Sequence, residues 1–296
     1  MIRRPLSTRV QKRLTVGAVL LAAAASGLLP SAAKSQAVDT DRVLSIGGSV
    51  TEIVYALGQG HRLVARDTTS IFPEIANDLP DVGYMRALSA EGVLSVAPEL
   101  IISEDGAGPP ETIEALEAAA IPFIKIPDVY DAEGVIAKVR AVGNALGAQD
   151  AAAILADQIA ADFADAKSHL ETVKVPKRVL FILSTQGGRI LASGTKTAAD
   201  GIIEMAGGTN AITAFEGYKL LTDEAIAIAA PEVILMMDRS GDHGVENKAL
   251  FVMPALVPTP AAQNRAIVRM NGLYLLGFGP RTAQAALDLN AALYGG

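Results

Sequence analysis

Glu91-Gly-Val-Leu-Ser-Val-Ala-Pro-Glu-Leu-Ile-Ile102 returns later in the chain as Glu224-Ala-Ile-Ala-Ile-Ala-Ala-Pro-Glu-Val-Ile-Leu235. In each copy a glutamate leads, a proline follows seven residues on, and a second glutamate opens an aliphatic run. Ser89 and Thr222 precede the copies and read as N-caps, which puts Glu91 and Glu224 in the first turn of a short helix. Charge–dipole stabilisation there is worth about 0.3–1 kcal/mol. The aliphatic runs read as buried strands. Just before the first copy stands Gly83-Tyr84-Met85-Arg86, which has no counterpart before the second. A repeated scaffold with one unrepeated tetrapeptide implies two similar lobes, with a ligand-holding group on the first.

The rest of the chain extends this alternation. Arg42-Val-Leu-Ser-Ile-Gly-Gly48 reads as a strand ending in a glycine turn. Ser49-Val-Thr-Glu52 reads as a capping box for a helix that buries Ile53, Val54 and Leu57 and stops at Gly58. A second strand is expected over 61–67, a polar loop over 68–80, a helix over 111–120 and a strand over 121–127. Strands alternating with helices predict a parallel sheet covered on both faces.

Residues 131–171 carry no strand signal. Gly143 and Gly147 are expected to divide them into a shorter helix and a long one starting near Asp150, with Ile154, Leu155, Ile159 and Phe163 on its inner stripe. Such a helix spans roughly 30 Å, enough to cross between lobes. After Pro176 the alternation resumes. Strands are expected over 178–184, 188–194 and 233–238, helices over 197–206 and 282–294, and a polar, proline-rich loop over 240–260. The fold class is therefore α/β. Residues 38–147 form a first lobe, 148–173 a connector helix and 174–296 a second lobe.

Composition sets the compartment. Half of the 296 residues are hydrophobic, which argues against disorder. Arg3, Arg4, Arg9, Lys12 and Arg13 precede an apolar, alanine-rich stretch over 14–29, and Ser35-Gln36-Ala37 offers a cleavage site. Residues 1–37 therefore read as a secretory signal peptide, its apolar run too short for a membrane span. There is no cysteine, hence no lipid-anchor cysteine and no disulfide. Removing 1–37 takes six of the 25 basic residues and none of the 32 acidic ones, so the mature charge is 19 − 32 = −13. An acidic surface excludes nucleic acid and anionic lipid as partners. The expected product is a soluble periplasmic protein.

With a signal peptide, paired lobes, one helical connector and the repeated Pro-Glu-aliphatic element, the chain resembles the periplasmic substrate-binding proteins that serve importers of haem, cobalamin and ferric siderophores. Within that class, Leu79-Pro-Asp-Val-Gly-Tyr-Met-Arg-Ala-Leu-Ser-Ala-Glu-Gly-Val-Leu-Ser95 resembles the haem-specific branch. So does Ser193-Gly-Thr-Lys-Thr-Ala-Ala-Asp-Gly-Ile-Ile-Glu-Met-Ala-Gly-Gly-Thr-Asn210. The resemblance implies two Rossmann-like lobes joined by a single long helix and ferric haem as transported ligand. It implies Tyr84 as the axial iron ligand and Arg239 as a second-lobe cation beside it. It further implies Glu91 and Glu224 as docking points on the two subunits of an inner-membrane ABC permease. An outer-membrane haem receptor would stand upstream, and the protein itself would be a monomer.

The residue chemistry fits these roles and leaves alternatives. A phenolate is a hard donor suited to ferric iron. Free tyrosine titrates near 10, so iron and a nearby cation must favour the ionised form. Arg86 suits a haem propionate through a charge-assisted bond, or is a solvated loop arginine. Lys196 and Arg66 are weaker candidates of the same kind. Met85 either lies against the porphyrin or fills the core, and Gly83 either admits the macrocycle or serves a turn. Of the three histidines, His61 and His169 read as structural or exposed, and His243 is the one candidate for a sixth iron ligand. Glu74 is an alternative docking residue.

Rival functions find less support. A zinc or manganese binder needs converging ligands that three scattered histidines do not supply. No Gly-x-Ser-x-Gly, His-Glu-x-x-His, P-loop or dinucleotide turn occurs, and the Ser184–Gly188 turn has no neighbouring histidine, so no enzyme is expected. A cobalamin or ferric-siderophore binder is the alternative.

Overall fold

The computed structural model describes residues 40–170, 173–238 and 246–295. The signal peptide expected at 1–37, Arg239, His243 and the side chain of His169 lie outside the described residues. The first lobe runs β1 (Val43–Ile46), α1 (Gly48–Ala56), β2 (Leu63–Arg66), α2 (Ala90–Ser95), β3 (Leu100–Glu104), α3 (Pro110–Ala118), β4 (Phe123–Ile126) and α4 (Ala132–Leu146). Its strands lie in the order β2-β1-β3-β4, all parallel. Parallel neighbours need long crossovers, and the intervening helices and loops provide them.

α5 (Gln149–Leu170) follows, 22 residues or about 33 Å of helix. It packs along α4 of the first lobe and α11 of the second. Its buried stripe is Ala152, Ala156, Ile159 and Ala166, with Leu155 and Phe163 half-buried beside it. Ile154, expected inside, is 73% exposed: it falls outside the 3–4 spacing that the alanines set. Gly143 does not break α4, which runs through to Gly147. A Cβ at Gly143 would sit 2.2 Å from that of Ala152, so this glycine lets α4 and α5 approach.

The second lobe runs β5 (Arg178–Ser184), β6 (Leu191–Ser193), α6 (Ala198–Met205), β7 (Thr209–Asn210), β8 (Tyr218–Leu220), α7 (Asp223–Ala229) and β9 (Val233–Asp238). It ends with α8 (Asn247–Phe251), α9 (Pro260–Gln263), β10 (Ile267–Asn271), α10 (Gly272–Leu276) and α11 (Thr282–Tyr294). Its sheet is mixed, not parallel throughout. The order is β10-β9-β5-β6-β8, with β6 and β8 antiparallel and β7 beside β5. Only a short turn separates β5 from β6, and such a connection forces antiparallel pairing. α8 interrupts the loop expected over 240–260, and β10 and α10 occupy a stretch without a sequence reading.

One hydrophobic cluster runs through both lobes, from Val43 and Ile53 past Ile159 to Phe181 and Leu289. The opposite face of the first sheet buries Leu44, Ile46, Met85 and Leu116, and that of the second buries Leu180, Ile226 and Leu256. Both sheets are thus covered on both faces, and their shared core lies on the connector side. The sequence repeat is a structural repeat. Arg42, entering β1, donates from Nε and Nη2 to the carbonyls of Ala97 and Val96 at 2.8 and 2.6 Å. Arg178, entering β5, donates from the same atoms to the Ala230 carbonyl at 3.1 and 3.0 Å. Ala97 and Ala230, each preceding the repeated proline, both adopt positive φ (45° and 42°).

The capping box expected at Ser49–Glu52 does not form. α1 starts earlier, at Gly48, with Gly47 as its N-cap and no side-chain cap. Ser49 Oγ instead donates to Glu104, and Glu52 pairs with Arg281 of the second lobe. Tertiary partners have taken both side chains.

Candidate functional site

Ligands of open parallel α/β sheets bind outside the carboxyl ends of the strands. At the end of β2, Asp67 accepts from the Gly47 N–H (2.9 Å), the Thr69 N–H (2.9 Å) and the hydroxyls of Thr69 (2.7 Å) and Ser70 (2.6 Å). This fixes the 67–72 loop to the β1–α1 turn. Arg66 is buried, not presented to a ligand: its Nη1 pairs with Asp81 at 2.8 Å and donates to the Asp67 carbonyl. Asp81 in turn accepts from the Gly83 N–H at 2.8 Å, and the Thr68 N–H donates to the Gly83 carbonyl at 3.0 Å. Gly83 has φ +102°, open to glycine and strained for other residues. Met85 is 8% exposed and packs into the first-lobe core.

Tyr84 stands between these anchors. Its carbonyl accepts from the Ala87 N–H at 2.7 Å, and its side chain is 47% exposed. A large aromatic thus stands exposed on a braced backbone. Arg86 is also exposed, and its charge acts on Tyr218 of β8. Burial pushes the Tyr218 phenol up, while the Thr197 hydroxyl and Arg86 pull it down. Lys196 pairs with Glu216 at 2.6 Å on the surface. His61 is exposed in a 3-10 turn at Gly60–Arg62.

Two features escape a reading by sequence alone. The first is a buried cluster at the ends of β3 and β4. Lys138 Nζ meets Glu104 (2.7 Å) and Asp128 (2.6 Å), with Ser49 Oγ at 3.1 Å and the Gly277 carbonyl of the second lobe at 3.4 Å. Burial pushes Glu104 up despite Lys138. Burial opposes the charge on Lys138, but the two carboxylates outweigh it and raise its pKa. Tyr130, raised by burial and by Asp128, packs edge-on against Phe278 of the second lobe, centroids 5.3 Å apart. The second is a cavity of about 280 Å³ between Ile71 and Phe72 of the first lobe and Asn271, Tyr274 and Arg281 of the second. Arg281 holds Glu52 through two bonds of 2.8 Å. Lysine, asparagine and arginine at these positions carry no motif; only the fold brings them together.

Glu91 and Glu224 are both exposed in the first turns of α2 and α7. Their N-caps are Ser89, whose side chain accepts from Gly92 N–H, and Thr222, which accepts from Ala225 N–H. Its own N–H and the Thr222 hydroxyl hold the Glu224 carboxyl below its usual range. Glu74 is exposed in the 3-10 turn Glu74–Asp78.

The model of the periplasmic binding protein family matches residues 43–272. The chain belongs to the periplasmic binding protein family. Among solved members, it is similar to the periplasmic haem-binding protein BhuT in complex with two haems. The two are 40% identical over 85% of this chain and 97% of that one, with a TM-score of 0.81. The periplasmic haem-binding protein RhuT from Roseiflexus sp. RS-1, in apo form, is 37% identical over 86% and 98% of the two chains, with a TM-score of 0.82. A vitamin B12-binding protein from Yersinia pestis (strain Pestoides F) is 27% identical over 85% of this chain and 88% of that one. This periplasmic binding protein therefore has the two-lobed α/β architecture of its family.

Proposed function

We propose that this periplasmic binding protein captures ferric haem in the cleft between its lobes and delivers it to an inner-membrane ABC permease. The observation that carries the reading is Tyr84: an exposed phenol on a loop braced by Arg66, Asp81 and the buried Met85. Its oxygen is a hard donor for ferric iron. Arg86, exposed two residues on, suits a propionate. Arg239, directly after β9, is assigned the cation that favours the phenolate. Similarity to BhuT and RhuT, both named for haem binding, supports the same ligand.

Delivery is assigned to Glu91 and Glu224, one exposed carboxylate per lobe on equivalent helices. A symmetric pair suits a permease of two subunits. In this reading 1–37 is a signal peptide, 38–147 and 174–296 are the lobes, and 148–173 is the hinge helix. The mature protein is a periplasmic monomer without a lipid anchor, supplied by an outer-membrane haem receptor, and it performs no chemistry on its cargo. Relatives named for vitamin B12 support cobalamin, or a ferric siderophore, as the second reading. A visible absorption titration of the apo-protein with hemin, cobalamin and a ferric siderophore separates them. Saturable spectral change with hemin alone is expected; saturation with either of the others, and none with hemin, would select the second reading.

A further inference from the structure

The cavity beside Arg281 has a defined chemistry. Its walls are apolar: Ile71, the ring of Phe72 and the ring of Tyr274. The Tyr274 hydroxyl is turned away and donates to Asp288 at 2.8 Å, which leaves the ring as the lining surface. The Arg281 guanidinium lies against the Phe72 ring, its Cζ 3.5 Å from the centroid, with the Tyr274 ring at 5.1 Å. Its Nε and Nη2 are committed to Glu52, whereas Nη1 donates to nothing among the described residues. The Asn271 Oδ1 accepts from the Tyr274 N–H, and its Nδ2 has no partner among the described residues. Glu52 is buried at 6% exposure and Arg281 is 31% exposed, so the positive end of the pair is the end that faces out.

Two open N–H donors between aromatic walls match a planar apolar group that carries an acceptor anion, and guanidinium favours carboxylate. We infer that this cavity is a second holding point for the cargo, taking a carboxylate-bearing edge of a planar macrocycle with Arg281 as donor. The inference rests on the haem reading and adds to it a site that does not involve iron. It also links recognition to the lobes, because the same guanidinium grips Glu52 and Phe72 of the first lobe.

Metal-free protoporphyrin IX and its dimethyl ester test this without iron, by fluorescence titration of the full-length mature protein. The free acid should bind about tenfold tighter than the ester, the value of one charge-assisted bond. Phe72→Ala and Asn271→Ala, which leave the Glu52–Arg281 pair in place, should weaken the free acid several-fold, and Asn271→Ala should also narrow the acid–ester gap. Tyr84→Ala should weaken hemin far more than it weakens metal-free protoporphyrin. Equal affinity for acid and ester, or unchanged affinity in both cavity variants, would overturn the holding point while Tyr84-dependent hemin binding kept the haem reading. A wild-type protein that binds neither hemin nor protoporphyrin would overturn both.

Discussion

The two lobes share a scaffold unit and differ in what is mounted on it. In each, a capped helix with a leading glutamate ends at a positive-φ alanine, turns at a proline and enters a strand. In each, an arginine at the start of the neighbouring strand caps that helix's last carbonyls. The first lobe adds an exposed tyrosine on a braced loop and a buried Lys138 cluster; the second adds two antiparallel strands and the 267–281 segment that reaches back to Glu52 and Lys138. Repetition therefore marks what the lobes share, a capped helix with an exposed glutamate in its first turn. Asymmetry marks the braced tyrosine loop and the contacts between the lobes.

The comparison can be broken first at the surface. Glu91→Ala combined with Glu224→Ala should abolish most haem uptake in cells while leaving hemin affinity unchanged. Normal uptake by the double variant would remove the shared docking role. The next effect concerns the asymmetric core. Lys138→Met leaves the buried Glu104 and the half-buried Asp128 without their cation and should cost about 3–5 kcal/mol of unfolding free energy, read by urea denaturation. A loss below about 1 kcal/mol, the scale of an exposed pair, would deny the cluster its structural part.

Smaller still is the symmetric pair. Arg42→Ala and Arg178→Ala should each lose about 1 kcal/mol, because each removes two side-chain bonds to carbonyls just after the repeated helix, Arg42 from Val96 and Ala97 and Arg178 from Ala230. Clearly unequal losses would show that the scaffold units are alike in shape but not in energy. The smallest effect is a pH dependence. Burial raises the Glu104 pKa in the folded state, so this group's contribution is fully present below its unfolded pKa and is lost as pH rises through the folded one. Glu104→Gln should flatten that part of the melting temperature–pH curve, and an unchanged slope would contradict the assignment.

Local signals made much of this architecture readable. β1, the α2–β3 and α7–β9 repeats and α11 lie where periodicity and caps put them, because those segments are decided by their own side chains. The N-caps at Ser89 and Thr222 are of the same kind. Errors arose where distant partners intervene. Ser49 and Glu52 look like a capping box but serve Glu104 and, 229 residues away, Arg281. Ile154 looks like a core residue, yet alanines set the α5 stripe, since helices approach most closely on small side chains. Among the candidate residues, Tyr84 was singled out by its motif. Its supports, Arg66 and Asp81, were not, because a loop arginine carries no sign of what it will brace.

In the proposed function the Tyr84 oxygen binds the iron of the cargo. The visible spectrum and hemin affinity of Tyr84→Ala beside the wild type test this step. The variant's charge-transfer bands should shift and its affinity fall steeply while its fold is retained. A variant that binds hemin as tightly as the wild type, with the same spectrum, would contradict it.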